Sequence, residues 1–440
     1  MNARVFHTSD WHLGRQIGRH RRDAEFDAVL TEIVDIAADF APDVIVHSGD
    51  LFDGHRPSLD DMARAARALQ CLGDIAPVVV VAGNHDTRRV LSFLEFMLSD
   101  LGTRTVDRAR VRFATDARPG SLLFAEYPAA EGQFTVRVGA LPYLHPNRFA
   151  YEFADQTTAT ATYAERMRAV QADVYRRLAR DRGPNDVLVF AAHLFVEGAA
   201  PSYSERQISI ESHYATSAAS LPLVEYGALG HIHKPQAING IGFSARYAGS
   251  PLQMDFGETS DRKSVVLAEI APGREPRIEI VSLESGRKLV KLVGTLEQIR
   301  ADAGRVGNAW VKAAVHTDAP TMGLAETLAE MLPQATIVAI EEIRKGTEKQ
   351  VLDRGTTAAD VPSVEEFLRD YLSEGRASGP ALDHVMDTFA DIQEAPDPTD
   401  RANCCEENLL AAAIDGRKLD SIDRAGVLNA SHTPDPEMLP

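Results

Sequence analysis

The sequence has little cysteine, no long hydrophobic run and a shortage of positive charge. Its three cysteines, Cys71, Cys404 and Cys405, form neither a CxxC metal pair nor a disulfide framework, and we interpret the adjacent pair as incidental. No apolar run approaches the roughly 20 residues that span a bilayer. The N-terminus runs into a strand-like segment without a signal sequence. These absences predict a protein of the reducing cytoplasm with no membrane partner.

The shortage of positive charge bears on nucleic-acid binding. The 440 residues carry 46 Lys and Arg against 64 Asp and Glu, a formal net charge of −18. Nucleic-acid binding depends on Lys and Arg that neutralise phosphates, so this balance argues against simple wrapping of DNA or RNA. An enzyme of this composition that acts on nucleic acid needs local positive charge, bound metal ions, or a partner that carries the nucleic acid.

The hydrophobic pattern of the first 270 residues predicts an α/β fold. The predicted buried strands are Val5–Thr8, Val44–Ser48, Val78–Ala82, Phe134–Leu141, Val187–Ala191, Tyr226–Leu229 and Ser264–Ile270. Helices lie between them, one with Phe26, Val29, Leu30, Ile33, Val34 and Ala37 on one face, and a long one around Ala164–Arg180. Strands that are apolar on both faces and alternate with helices are typical of layered α/β sheets.

The character of the sequence changes near Pro272. The strands predicted beyond it are Arg277–Leu283, Leu289–Val293, Trp310–His316 and Thr336–Ile343, with helices near Leu296–Ala303 and Leu324–Leu332. Two short amphipathic helices, Ser363–Leu372 and Leu382–Ile392, follow a polar stretch. The predicted organisation is a catalytic domain at 1–270, a small α+β domain at 271–345, a linker at 346–362, a helical segment at 363–395 and a disordered acidic tail at 396–440.

Five short segments place metal-ligand side chains directly after predicted strands. They are Asp10-Trp11-His12, Gly49-Asp50, Gly83-Asn84-His85-Asp86, His193 and Gly230-His231-Ile232-His233. Open α/β sheets build their sites at the carboxyl ends of strands, so we expect these side chains to converge. Residues two apart in extended backbone point to one side, so each D-x-H or H-x-H pair can share an ion. Each segment alone also fits a turn or a structural histidine, but the ordered set does not.

The ligand types indicate the metal. Oxygen from Asp and Asn mixed with imidazole suits Mn²⁺, Fe²⁺ or Zn²⁺, and the lack of cysteine argues against structural zinc. Two divalent ions outweigh the two carboxylates Asp10 and Asp50, and the remaining positive charge suits a phosphodiester. His7 and His47 lie on the strands themselves, and we expect them to be buried, hydrogen-bonded and without a chemical role.

With these motifs the chain resembles the calcineurin-like metallophosphoesterases and, more narrowly, the SbcD family of bacterial nuclease subunits. The narrower motifs are Ser9–Gly14, Gly49–Asp53 and Tyr247–Pro251, and the resemblance covers about residues 1–395. It implies a layered α/β/β/α metallophosphoesterase domain, a capping domain, and C-terminal helices that bind an SbcC-type ATPase. It implies a metal-dependent double-strand exonuclease and single-strand or hairpin endonuclease of the cytoplasm. Such a nuclease serves DNA repair, recombination and replication.

The resemblance also implies roles for individual residues. Asp10, His12 and His233 would hold one metal ion, Asn84, His193 and His231 the other, and Asp50 would bridge them. The expected ions are Mn²⁺, with Mg²⁺ as the alternative. His85 would contact the scissile phosphate and assist the leaving oxygen, and Asp86 would orient His85. Some relatives have a histidine where this chain has Asp53, so whether Asp53 has a catalytic role stays open.

Two further sets of residues are candidates for binding. The arginines that follow the first and third motifs are candidates for DNA contacts, with a solvated helix face as the alternative: Arg15, Arg19, Arg21, Arg22, Arg88 and Arg89. The resemblance implies a homodimer, and with the ATPase a heterotetramer. Two apolar stripes could form the dimer contact or pack in the core: Leu59, Met62, Ala66 and Leu69, and Val90, Leu94, Met97 and Leu101. The helices at 363–372 and 382–392 could dock the ATPase or pack on the capping domain.

Two other functions fit parts of the sequence. A phosphodiesterase or phosphatase for cyclic nucleotides or other small phosphoesters would use the same metal core. The capping domain and the terminal helices favour the DNA complex over it, since a small-molecule enzyme has little need of them. A non-catalytic scaffold is disfavoured because every ligand position, and His85, holds a competent residue. The sequence does not give the polarity of the exonuclease or its preferred DNA end.

Overall fold

The computed structural model describes residues 2–99, 110–117, 121–145, 156–202, 204–205, 215–319 and 321–344, with only the backbone described at 156–162. The helices predicted at 363–372 and 382–392, the tail at 396–440 and Leu101 of the second stripe lie outside these ranges. Predictions for them therefore stay predictions. Among the described helices, none combines the length and the apolar character that crossing a membrane requires.

Fifteen strands and six α-helices are present in the described residues. The strands are β1 (Ala3–Thr8), β2 (Val44–His47), β3 (Val78–Val81), β4 (Val111–Ala114), β5 (Leu123–Ala129), β6 (Phe134–Leu141), β7 (Asp186–His193), β8 (Tyr226–Gly230), β9 (Gln236–Ala237), β10 (Ser244–Tyr247), β11 (Ser264–Ile270), β12 (Arg277–Ser282), β13 (Leu289–Gly294), β14 (Trp310–Thr317) and β15 (Thr336–Arg344). The helices are α1 (Asp23–Phe40), α2 (Leu59–Ile75), α3 (Arg88–Leu98), α4 (Gln156–Ala179), α5 (Leu296–Asp302) and α6 (Leu324–Met331).

Two six-stranded sheets form the centre of the fold. The first has the order β12-β11-β1-β2-β3-β4, and its strands β1 to β4 are parallel while β11 and β12 are antiparallel additions. The second has the order β5-β6-β7-β8-β10-β9, with β6, β7, β8 and β10 parallel. Parallel strands share the direction of their carboxyl ends, so each sheet brings several strand-to-loop turns to one edge.

The alternation of side chains along the strands explains the layers. Val5 of β1 packs in a buried cluster that contains residues of both sheets, such as Val189 of β7, so this cluster lies between the sheets. Phe6, the next residue, packs instead with Phe26 of α1 in a cluster that also includes residues of α2 and α3. Phe190 of β7 likewise packs with residues of α4 on the outer face of the second sheet. The fold is therefore a layered α/β/β/α arrangement, as predicted.

A third, three-stranded parallel sheet has the order β13-β14-β15 and packs with α5 and α6 around its own small core. One strand predicted for this region lies elsewhere. Arg277–Ser282 pairs along its whole length with Ser264–Ile270 and forms the edge of the first sheet, so its placement in the small domain was wrong. A six-residue connection between two strands favours an antiparallel hairpin over a crossover to another sheet. The domain boundaries themselves stay a prediction.

A buried polar cluster joins the small sheet to α1. The carboxylate of Glu25 accepts hydrogen bonds from Arg22 at 2.9 Å, from the indole of Trp310 at 2.8 Å and from the amide of Arg287 at 2.8 Å. Arg22 also donates to the carbonyl oxygen of Gln253 at 2.6 Å. Every strong donor in this cluster therefore has an acceptor, as buried charges require.

The two apolar stripes proposed for contact between copies lie mostly in the core. Leu69 and Leu94 are only 0% and 2% exposed, and they pack under the first sheet. The partly buried members, Met62, Ala66 and Val90, pack against the same core. The assignment of Leu69 and Leu94 to a dimer contact was therefore wrong, because a helix that covers a sheet turns its apolar face inward. Of the described stripe residues, Leu59 and Met97 are exposed.

Candidate active site

The site lies where the turns after β1, β2, β3, β7 and β8 meet. The amide of Asp10 donates to the carbonyl oxygen of Gly49 at 2.8 Å, and the amide of His12 donates to the carbonyl oxygen of Asp50 at 3.1 Å. The amide of His231 donates to the Asp10 carboxylate at 3.1 Å. Asp10, His12, Asp50 and His231 all have positive φ, which costs free energy in non-glycine residues and is found where function requires it. The first, second and fifth motifs are thus fixed to one another by hydrogen bonds from backbone amides.

The seven predicted metal ligands come together in two groups. Ligand atoms of Asp10, His12 and His233 lie within 4.8 Å of one another. Those of Asp50, His193 and His231 form a second group within the same distance. Asn84 belongs to the second group, since its Oδ1 lies 3.0 Å from Nε2 of His193 and 2.8 Å from Nδ1 of His231. The division matches the one that the resemblance implies, and the ligand roles stay a prediction.

Asp50 lies between the two groups. Its Oδ2 is 3.5 Å from Nε2 of His12 and 3.4 Å from Nε2 of His193, while its Oδ1 accepts the amide of His85 at 2.8 Å. Gly83 makes this position possible, because a Cβ there would lie 2.7 Å from Cγ of Asp50 and closer still to its Oδ1. A carboxylate in this place is able to bridge two ions.

The electrostatics of the cluster fit divalent cations. Burial, together with the neighbouring Asp50 carboxylate, raises the pKa of Asp10 to about 7, although His193 acts to lower it. Burial alone would lower the pKa of His193, but the Asp50 carboxylate raises it to about 9. Among the described residues, neither ring nitrogen of the buried His12 makes a hydrogen bond of good geometry, although carboxylate oxygens of Asp50 and Asp53 lie 3.5 and 3.4 Å away. Crowded carboxylates, imidazoles and an unsatisfied buried histidine therefore fit two divalent ions of the Mn²⁺ or Zn²⁺ type.

His85 lies beside the ligand groups, and its ring is held by the second motif. Its Nδ1 donates to the carbonyl oxygen of Asp53 at 2.6 Å. Its ring packs edge to face against that of His12, with 4.7 Å between the ring centroids. Asp86 uses its carboxylate differently, on the amides of Gly83 at 2.9 Å and of Leu51 and Phe52 at 3.2 Å. In these contacts the carbonyl oxygen of Asp53 orients the His85 ring. Asp86 joins the turns of the second and third motifs, and its role in orienting His85 stays a prediction.

The question about Asp53 has a structural answer. Its Oδ1 lies 3.4 Å from Nδ1 of His12 and 3.4 Å from Nη1 of Arg15, and its carbonyl oxygen holds His85. His12 and, to a lesser extent, the Arg15 guanidinium lower the pKa of the Asp53 carboxyl against the effect of burial, so it stays ionised. Asp53 therefore contacts both His12 and His85 and supports their positions, while a catalytic role for Asp53 itself stays untested.

Three residues that the sequence analysis missed also contact the ligands. The ring of Tyr143 stacks on that of His231, with 5.7 Å between the ring centroids. The carboxylate of Glu205 accepts a hydrogen bond from the amide of His233 at 2.9 Å. Glu258 lies 3.3 Å from Nδ1 of His233. Tyr143 follows β6 as the motifs follow their strands, so the same rule could have found it. No local pattern marks Glu205 or Glu258.

The motif Tyr247–Pro251 positions loops next to the site. The buried hydroxyl of Tyr247 donates to the carbonyl oxygen of Leu194 at 2.9 Å and accepts the amide of Val196 at 2.9 Å. It thereby fixes the chain that follows His193. The amide of Ser250 donates to the carbonyl oxygen of His233 at 3.1 Å. A motif with no ligand of its own thus holds the backbone of two ligand segments.

The candidate DNA-binding arginines differ in their surroundings. Arg22 is buried and paired with Glu25, so its assignment to DNA was wrong: the sequence could not show that its partners lie beneath the surface. Arg21 is partly exposed and pairs with Asp23 at 2.7 Å, and Arg15 pairs with Asp53 beside the site. Arg88 is exposed and pairs with Asp116. Two others, Arg19 and Arg89, are exposed.

The strand histidines His7 and His47 are buried, as expected, and the structure adds that they are neutral. Nδ1 of His7 lies 2.9 Å from the hydroxyl of Tyr226, and its Nε2 lies 2.8 Å from the hydroxyl of Ser48. Burial lowers the pKa of His7 and of His47 to about 3. Both histidines therefore stay uncharged behind the cluster and add no positive charge to it.

Comparison with known proteins gives the family. Residues 3–235 match the family model of the calcineurin-like phosphoesterases. The chain is 33% identical over 320 residues to the SbcD component of nuclease SbcCD from Bacillus subtilis, covering 70% of this chain and 78% of the relative. It is 28% identical over 391 residues to the protein of the same name in Escherichia coli K12, covering 84% and 92%, respectively. The chain therefore belongs to the calcineurin-like phosphoesterases and, within them, to the SbcD family of nuclease subunits.

Proposed function

We propose that this chain is the nuclease subunit of a DNA-end-processing complex and hydrolyses DNA phosphodiester bonds with two divalent ions, in the cytoplasm. The observation that carries the proposal is the meeting of two ligand groups at Asp50 with His85 beside them. Membership of a family whose relatives are named as subunits of SbcCD supports an SbcC-type ATPase as the partner. The predicted docking helices at 363–372 and 382–392 lie outside the described residues.

The chemistry divides between the ions and the side chains. Two divalent ions in these groups would supply Lewis acidity and positive charge for the phosphate. Mn²⁺ is the ion we propose, since the groups mix oxygen with imidazole. Asp50 contacts ligands of both groups through Oδ2, and its Oδ1 holds the backbone amide of His85. With Nδ1 donating to Asp53, His85 presents Nε2 to a substrate. In its imidazolium form it would give the Nε2 proton to the leaving oxygen as the phosphorus–oxygen bond breaks, and would be left as the neutral imidazole protonated on Nδ1.

The alternative on the same core is a phosphodiesterase for small phosphoesters. The test compares linear double-stranded DNA with bis(p-nitrophenyl) phosphate, each with Mn²⁺ and with or without the ATPase partner. We expect cleavage of both substrates, lost with EDTA and in Asp50→Asn, because this change removes the charge that both groups share. Hydrolysis of the small ester without any DNA cleavage, even with the partner present, would favour the alternative.

We also propose that the chain forms a homodimer through an exposed apolar patch on α3, together with the exposed Leu59 of α2. Phe93, Phe96 and Met97 lie at helical spacing on one face of α3 and are 48%, 60% and 50% exposed. Leu59, at the start of α2, is 82% exposed. A cluster of large apolar side chains in water favours burial against a second copy over exposure.

The patch makes a direct prediction about assembly. Phe96→Glu combined with Met97→Glu should convert a dimer into a monomer, because two charges would be buried at the contact. Light scattering at micromolar concentration measures the mass. Leu223→Glu is the matched control, since Leu223 is 60% exposed next to β8 of the second sheet and should leave the dimer intact. A monomeric wild-type protein, or a double variant that stays dimeric, would contradict the assignment.

A further inference from the structure

A buried ion pair lies directly behind one of the metal ligands. Nζ of Lys263 is 2.6 Å from Oε2 of Glu258, and both side chains are almost entirely buried. Removing two charges from water is costly unless further hydrogen bonds compensate. Such bonds are present: Glu258 accepts the amide of Met254 at 2.9 Å, and Lys263 donates to the hydroxyl of Ser250 at 2.9 Å. The charges of the pair are therefore compensated, and the pair lies where it can position His233.

The pair and its neighbours engage the polar groups of His233. Its amide donates to Glu205 at 2.9 Å, and its carbonyl oxygen accepts from Lys263 at 3.0 Å. Its ring nitrogen Nδ1 lies 2.6 Å from the hydroxyl oxygen of Ser204 and 3.3 Å from Oε1 of Glu258. The hydroxyl of Ser204 is itself hydrogen-bonded to Glu258. Both the backbone and one side of the ring of His233 are therefore fixed.

The direction of these hydrogen bonds follows from their chemistry. An ionised carboxylate only accepts hydrogen bonds, so the hydroxyl of Ser204 donates to Glu258. The oxygen of Ser204 can then accept the proton on Nδ1 of His233. This arrangement places the ring proton on Nδ1 and the lone pair on Nε2. It is the tautomer that a metal ligand needs when its Nε2 faces the ion.

We propose that Glu258 is the positioning residue that fixes His233 in its Nδ1-protonated tautomer, which binds the metal ion of the group with Asp10 and His12. Lys263 holds Glu258 in place, and Ser204 acts with it. The inference deepens the proposed function and rests on its metal site. This role of Glu258 makes the two sites unequal, because Glu258, Ser204 and Lys263 contact His233, which belongs to the group with Asp10 and His12. Loss of Glu258 should therefore affect one ion far more than the other.

The first measurement is a Mn²⁺ titration of the full chain by calorimetry. Glu258→Gln removes the charge with little change in shape, and should weaken one of the two binding events about 10- to 100-fold while leaving the other near its wild-type value. Glu25→Gln is the matched control. Glu25 is also a buried, ion-paired glutamate, but it serves the junction with the small sheet, so both binding events should persist.

Leaving Lys263 buried without its partner could unfold the protein, so a second variant is needed. Glu258→Gln combined with Lys263→Met removes both charges. Circular dichroism verifies its fold, and the same selective loss of one ion is expected. Equal weakening of both ions, or none, in the folded double variant would overturn the inference.

A second readout does not depend on bound metal or on activity. The imidazole ¹⁵N shifts of His233 in the metal-free chain should show the Nδ1-protonated tautomer in the wild type and a mixture of tautomers in both variants. An unchanged tautomer would overturn the inference even if the nuclease assignment stands. Conversely, a wild-type chain that binds no Mn²⁺ but shows the Nδ1-protonated tautomer would overturn the proposed function alone.

Discussion

His85→Gln is expected to keep both metal ions and to lose about 10²- to 10⁴-fold in turnover, the range that general acid catalysis contributes. The ring of His85 is held by Asp53 beside the ligand groups, which suits a proton donor. Bound metal is measured by mass spectrometry of the purified chain, and turnover on bis(p-nitrophenyl) phosphate.

The structure also provides the rival explanation for His85. Its ring lies within ligand distance of His12 and Asp50, so these three could themselves hold an ion. His231→Gln serves as the reference, since loss of this ligand should lower metal content. If His85→Gln loses as much metal as His231→Gln, then His85 is a ligand and its assigned role in proton transfer is wrong.

Gly83→Ala is expected to damage both metal sites at once. Its Cβ would lie 2.7 Å from Cγ of Asp50 and closer to the Oδ1 and amide nitrogen, so Asp50 must move. Because Asp50 is shared by both groups, Mn²⁺ affinity should fall for both ions. Overpacking of this kind costs about 1–3 kcal/mol of stability. Thermal unfolding without metal and a Mn²⁺ titration measure the two effects.

Gly304→Ala is the matched control for this substitution. A Cβ at Gly304 would meet no atom within 4 Å, so stability and Mn²⁺ affinity should change little. If Gly83→Ala has as little effect as Gly304→Ala, then the close contact between Gly83 and Asp50 does not position the Asp50 carboxylate.

Much of the site could be predicted because strand ends are local signals. An apolar run that stops at a ligand, as Val44–His47 stops before Asp50, marks both the strand and the edge of the sheet that it reaches. The seven strands predicted for the first 270 residues therefore begin and end close to the observed positions, whereas β4, β5, β9 and β10 were not predicted. The predicted ligands meet where parallel strands end. The α/β/β/α layers follow from the same runs, since strands that are apolar on both faces need cover on both sides.

Contacts between distant residues could not be predicted from single segments. Arg22 follows the first motif as Arg15 does, yet its partner Gln253 lies 231 positions away. Glu258 and Lys263 lie in a polar stretch that gives no sign of burial until His233 is packed against it. Helical spacing identified the apolar faces of α2 and α3 but not what covers them. Leu94 was therefore assigned to the wrong surface, and Phe93 and Phe96 were missed.

Anomalous X-ray scattering at the manganese edge shows whether Asp50 joins two metal sites. Crystals of the full chain grown with Mn²⁺ should show two anomalous peaks about 3.5–4 Å apart, both touching the carboxylate of Asp50. One peak should lie beside Asp10, His12 and His233, and the other beside Asn84, His193 and His231. A single peak, or two peaks of which only one touches Asp50, would contradict the account.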